Sequence, residues 1–143
     1  IVRDGGEAAQ IFMAKVEKTI DQLDLKIESH ASLSKHLKDS IGALRETVDW
    51  MLDTFKLEPG YAAAGATALV EMMGLISGGW MLARGAIEAS RQISDGSGDP
   101  KFLSSKLVTA RYFAEVHLSR ASSLVGPIKN GGSCVMDFDA AQF

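Results

Sequence analysis

Apolar residues recur at intervals of three and four along most of the chain, which is the pattern of amphipathic helices. In the first helix predicted, over 6–28, Ile11, Phe12, Val16, Ile20, Leu23 and Ile27 form one stripe. Lys15, Glu17, Lys18, Asp21 and Asp24 fall mostly off it. Asp4, followed three residues later by Glu7, resembles a capping box at its start. A second helix is predicted over 34–57. Leu33, Leu37, Ile41, Leu44, Val48, Met51 and Phe55 lie four and three apart, close to a heptad repeat. Such a seam serves either a partner helix or the inside of a bundle, and the stripes on the neighbouring segments favour the bundle. Glu58-Pro59-Gly60 ends it, because proline cannot continue the hydrogen-bond ladder.

The third predicted helix, 61–94, reads as the buried centre. Its only charges through Ile93 are Glu71, Arg84, Glu88 and Arg91. At 100° per residue, Leu69, Met72, Ile76, Trp80, Ala83 and Ile87 line one side, while Gly74, Gly78 and Gly85 lie nearly opposite. A helical glycine costs about 1 kcal/mol relative to alanine, so this second face calls for a compensation. Close approach of another backbone is the usual one. Gly74, Gly78, Trp80 and Gly85 are therefore the candidate helix-packing or interface residues. The rival reading of the glycines, a phosphate-cradling loop, lacks a preceding strand and the G-x-G-x-x-G spacing. Glu71 within the run and Arg84 at its end argue against a membrane span. Glu71 is read as a rim carboxylate in preference to a general base, and Arg84, Glu88 and Arg91 as a ladder along one shoulder.

Ser94-Asp95-Gly96-Ser97-Gly98-Asp99-Pro100 is the clearest loop. A fourth helix follows over 99–129, with Asp99 as N-cap and Pro100 in the first turn. Its apolar side includes Phe102, Leu103, Leu107, Ala110, Phe113 and Ala114. Pro127 is placed in its last turn, and Asn130-Gly131-Gly132 reads as its C-cap. The tail from Ser133 ends in Phe138 and Phe143 and is expected to dock on the surface. The fold class is thus all-α: an up-down four-helix bundle of long antiparallel helices with a short C-terminal tail, forming one domain over 1–143.

A chain of 143 residues can bury a core. Its net charge of −3, without a basic patch, argues against a nucleic-acid partner. One cysteine, Cys134, excludes an internal disulfide and fits a reducing, cytoplasmic setting. Its context, NGGSCVMD, points to a surface or small apolar role and not to a nucleophile. His30, His36 and His117 lack metal-ligand spacing and read as surface or boundary residues. No catalytic, cofactor-binding or metal-binding residue is assigned. The start, Ile-Val-Arg-Asp-Gly-Gly, reads as part of something longer.

Three stretches carry a resemblance. They are Arg3-Asp4-Gly5-Gly6, the run from Gly74 to Arg84 (GLISGGWMLAR), and the run from Ser105 to Glu115 (SKLVTARYFAE). In this order and spacing the chain resembles the C-terminal helical domain of a bacterial acyl-CoA dehydrogenase subgroup, the acetyl-CoA dehydrogenase C-terminal-like domain. One departure is Ser119, where relatives often carry proline; it bears on helix geometry. The resemblance implies a parent enzyme that holds FAD and removes two hydrogens from the α and β carbons of an acyl-CoA, with a glutamate base in a preceding core. None of that core lies in 1–143. The implied role is an accessory structural module whose partner is the preceding catalytic core or a second copy at the subunit interface. Two other readings stand beside it: a free-standing helical interaction module, and a small-molecule binder with a cavity beside Trp80.

Overall fold

The structure is a computed structural model, and it describes residues 1–138. Among the described residues it is all-helical, with no strand. The elements run α1 (Glu7–Ile20), α2 (Glu28–Leu57), α3 (Pro59–Ala64), α4 (Ala66–Ser94) and α5 (Pro100–Val116), then a 3-10 segment (Leu118–Leu124) and α6 (Val125–Met136). The four helices expected from periodicity are therefore six α-helices and a 3-10 turn, and each difference has a local cause.

The first helix stops at Ile20, short of residue 28, because Asp24 draws the chain into a turn. Its carboxylate accepts from the Lys26 N–H at 3.0 Å and its carbonyl from the Ile27 N–H. The second helix accordingly starts at Glu28, six residues earlier than expected. The third is interrupted at Gly65. The fourth divides after Val116. Pro127 lies in the first turn of α6, where no intrahelical N–H is required, instead of the last turn of a single long helix. Asn130-Gly131-Gly132 does not end a helix either; all three lie inside α6.

Gly132 has a packing reason, and so has Gly65. A Cβ on Gly132 would sit 2.8 Å from the carbonyl oxygen of Tyr61, and one on Gly65 would sit 2.6 Å from that of Ile128. The α3–α4 junction and α6 thus touch backbone to backbone, a proximity that only a missing side chain permits.

Both α2 and the apolar α4 pack against every other helical element, but α2 carries more of the buried residues, twelve against seven. The expected seam of α2 is buried within the chain at Leu33, Leu37, Ile41, Leu44, Val48 and Met51, but its last member, Phe55, is exposed. Met13 and Val16 of α1, Met72 and Ile76 of α4, Ala114 of α5, Leu118 and Ile128 complete this core. In α1 the buried line is Ala9, Met13, Val16 and Ile20, while Ile11 is half exposed.

The start of α5 follows its sequence signal. Asp99 accepts from the Lys101 N–H at 3.0 Å, with Pro100 opening α5. At α1 the N-cap is Gly6, with φ 88°, and not the expected Asp4. Asp4 stands two residues ahead and accepts from the N–H groups of Ala8 and Gly6, and these bonds hold its carboxyl below the usual carboxylate range. The expected docking of the tail lies partly outside the described residues. Ser133 to Met136 form the end of α6, and Phe138 is 62% exposed.

Candidate functional site

Among the described residues no three His, Cys, Asp or Glu side chains are grouped as metal ligands would be. Cys134 lies exposed on α6. Glu71 points outward from α4. The histidines separate in character. His36 and His117 are half-buried, but His30 is buried, which corrects its reading as a surface or boundary residue. Its Nδ1 accepts from the Asp24 N–H at 3.1 Å, which leaves Nε2 to donate to Ser90 Oγ at 3.0 Å. The ring thereby ties the α1–α2 turn to α4. Nothing in the local sequence marks His30 for this role, because both partners are set by tertiary packing. His36 is held below the ordinary imidazole range by burial and, second, by the charge of Lys35.

The inner face of α4 carries Leu69, Met72, Ile76 and Ala83 into the core. Trp80 sits at its edge, half-buried. Its indole Nε1 donates to Thr19 Oγ1 at 2.8 Å, and its ring meets Phe12 edge to face at 5.8 Å. The Arg84 guanidinium lies 5.7 Å from the indole centroid. Arg84 thus leaves the ladder expected along this shoulder. That ladder is built instead from Glu88, Arg91, Gln92 and Asp95. Arg91 Nε and Nη2 donate to the two Glu88 oxygens at 2.9 and 2.6 Å, and Nη1 donates to Asp95 at 2.6 Å. These hydrogen bonds, Arg91 first and Gln92 second, hold the Glu88 carboxyl at about 2.

The outer face of α4 is different in kind. Gly78 is covered by the Phe113 ring of α5, whose Cζ would lie 2.8 Å from an added Cβ. Gly79, which periodicity did not single out, receives Leu118 as closely, at 2.7 Å. Gly74 and Gly85, by contrast, have nothing among the described residues within 4 Å of an added Cβ and are exposed. Beside Gly85 a hollow of about 330 Å³ opens between α4 and the start of α5, bordered by Met81, Ala86, Phe102, Leu103, Lys106 and Glu88. Trp80 does not line it. Phe102 had been placed on the apolar inner side of its helix, yet it is 56% exposed. The Lys106 ammonium lies 4.9 Å from its ring centroid. The structure therefore brings together Gly85, Met81 and Phe102, and separates them from Trp80.

Among the described residues the arrangement supplies surfaces for packing. Comparison with known proteins gives it a context. The family described as "acetyl-CoA dehydrogenase C-terminal like" matches residues 12–139. A 3-methylmercaptopropionyl-CoA dehydrogenase of Ruegeria pomeroyi (strain ATCC 700808 / DSM 15171 / DSS-3) is 27% identical over 136 residues. That alignment covers 95% of this chain and 23% of the relative, so the chain spans less than a quarter of the protein it matches.

Proposed function

Because the chain belongs to the acetyl-CoA dehydrogenase C-terminal-like family, we propose that it is the accessory helical domain of an FAD-dependent acyl-CoA dehydrogenase and has no reaction of its own. The observation that carries this reading is coverage: nearly the whole chain aligns with less than a quarter of a dehydrogenase. The remaining length of such an enzyme would hold the flavin and the base that works at the α and β carbons of the acyl-CoA. The residues of this chain suit the flavin poorly. The hollow beside Gly85 is mostly apolar, and its two charged lining residues, Glu88 and Lys106, are of opposite sign, so it offers a pyrophosphate no net attraction. What the domain contributes is a rigid helical body, ordered by the α2 core, that packs on the catalytic core or at a subunit interface.

The test is to purify the natural polypeptide that carries this sequence and measure its mass, its visible flavin absorbance and its acyl-CoA-dependent reduction of an electron acceptor. The reading expects a chain several times larger than 15.3 kDa, yellow and active. The rival, a free-standing interaction module, draws on the exposed apolar residues of α4 and α5. A colourless, inactive native polypeptide of 15.3 kDa would establish the rival.

A further inference from the structure

The outer surface of α4 is apolar out of proportion to its burial. By length and composition α4 could cross a membrane, yet only 28% of its most apolar stretch is buried within the chain. Between Glu71 and Arg84 its solvent side presents Gly74 and Met81, with the half-buried Ser77 between them and Val70 and Gly85 just beyond. No charge falls among the middle three. On the adjoining α5 one exposed row, Phe102, Ser105, Thr109, Tyr112 and Val116, is also without a charge, with Lys101, Lys106 and Glu115 exposed beside it. Val70, Met81, Phe102 and Tyr112 are between 54% and 69% exposed. The hollow at Gly85 joins the two helices' surfaces. Charged side chains stand at the margins: Glu71, Arg84, Glu88 and Lys106. An apolar centre with a charged rim is the anatomy of a protein–protein interface.

The two open glycines sharpen this. Gly74 and Gly85 carry the helix penalty of glycine, and nothing among the described residues of the chain approaches closely enough to compensate. The compensation lies outside it. We propose that the outer face of α4 and α5, from Val70 to Gly85 and from Phe102 to Val116, is where the rest of the dehydrogenase chain docks. An apolar side chain of that core would enter the hollow between Met81 and Phe102. This rests on the reading of the chain as a domain of a longer dehydrogenase. The occupant follows from the same coverage, since more than three quarters of the matched relative lies outside the alignment. A lipid surface fits less well, because the exposed Glu71 and Arg84 flank the apolar row on either side and Glu88 and Lys106 line the concave hollow.

Hydroxyl-radical footprinting of the full-length natural chain tests it, with an internal control. Met81 and Met136 are 54% and 58% exposed in this domain, so a free α4–α5 face oxidises them at similar rates. Docking, which packs an interface core like a protein interior, is expected to slow Met81 about fivefold or more against Met136. Val70→Glu with Gly85→Glu, both at open positions, is expected to bring the ratio back toward one. Equal rates in a chain whose mass and flavin mark it as the whole dehydrogenase overturn the docking face and leave the domain reading standing. A native chain of 15.3 kDa without flavin overturns that reading and the docking together. Protection of Met81 that vanishes on dilution, or that needs added phosphatidylcholine vesicles, assigns the face to a second copy or to lipid and also overturns the proposal.

Discussion

Gly65 and Ile128 touch backbone to backbone. A Cβ on Gly65 would lie 2.6 Å from the Ile128 carbonyl oxygen, and Gly132 stands in the same relation to Tyr61 at 2.8 Å. These two contacts bind the α3–α4 junction to α6. Gly65→Ala and Gly132→Ala must push two helices apart, and each is expected to destabilise the domain by about 1–3 kcal/mol through overpacking. Gly74→Ala and Gly85→Ala meet open space. In the isolated domain they are expected to stabilise by up to about 1 kcal/mol through helix propensity. Urea titration of the four variants checks the contrast; effects of one sign at all four positions contradict it.

Trp80 and Thr19 couple α4 to α1 through the bond from Nε1 to Oγ1. Trp80→Phe keeps most of the ring and removes the donor, at an expected cost of about 1 kcal/mol. Thr19→Val removes the acceptor. A double-mutant cycle should return a coupling energy between them. Additive losses would show that the bond contributes nothing to stability.

His30 fills both its hydrogen-bonding positions while buried. His30→Ala leaves the Asp24 N–H and the Ser90 hydroxyl without this partner. The expected loss is about 1–3 kcal/mol from unsatisfied polar groups, added to a cavity term. Hydrogen exchange at the Asp24 amide is the direct reading: it should accelerate in His30→Ala, and an unchanged rate contradicts the contact.

The acid limb of the stability curve carries several contributions of one sign, from Asp4, Glu88, Glu115 and His36. The Glu88 carboxyl is lowered from 4.5 to about 2, first by Arg91 and then by Gln92. A depressed carboxyl gives its full contribution above 4.5 and loses it as the pH falls toward about 2. His36 is lowered from 6.5. Its contribution is present above that pH and lost below it, as the unfolded imidazole takes up a proton that the folded one refuses. In an NMR titration Arg91→Ala should raise the Glu88 midpoint toward that of an ordinary glutamate. The same midpoint in both proteins contradicts the assignment.

Much of this was legible before any coordinates. The seam from Leu33 to Met51 is visible because a helix that packs on several neighbours must repeat its apolar side chains every three or four residues. Asp99-Pro100 is visible because a cap and a fixed φ act locally. What depends on tertiary packing was hidden. Apolar content made 61–94 look central, yet it cannot say whether an apolar face is covered by its own chain, and Met81, Val70 and Gly85 are not. Gly131 and Gly132 carry the local chemistry of a helix stop, but the approach of Tyr61 gives Gly132 another purpose. Asp24 ended α1 early through a side-chain bond that competes with the helix, and periodicity does not register such a bond. Of the four candidate packing residues, Gly78 lies beneath Phe113 and Trp80 against Thr19, while Gly74 and Gly85 face outward.

The central claim is that this domain serves a dehydrogenase without performing its chemistry. The most direct measurement compares residues 1–143 alone with the full-length natural chain for bound flavin and for acyl-CoA-dependent reduction of an electron acceptor. The account predicts that the full chain is yellow and active while the isolated domain is folded, helical, colourless and inert. Flavin bound to the isolated domain, or turnover by it, would contradict that claim.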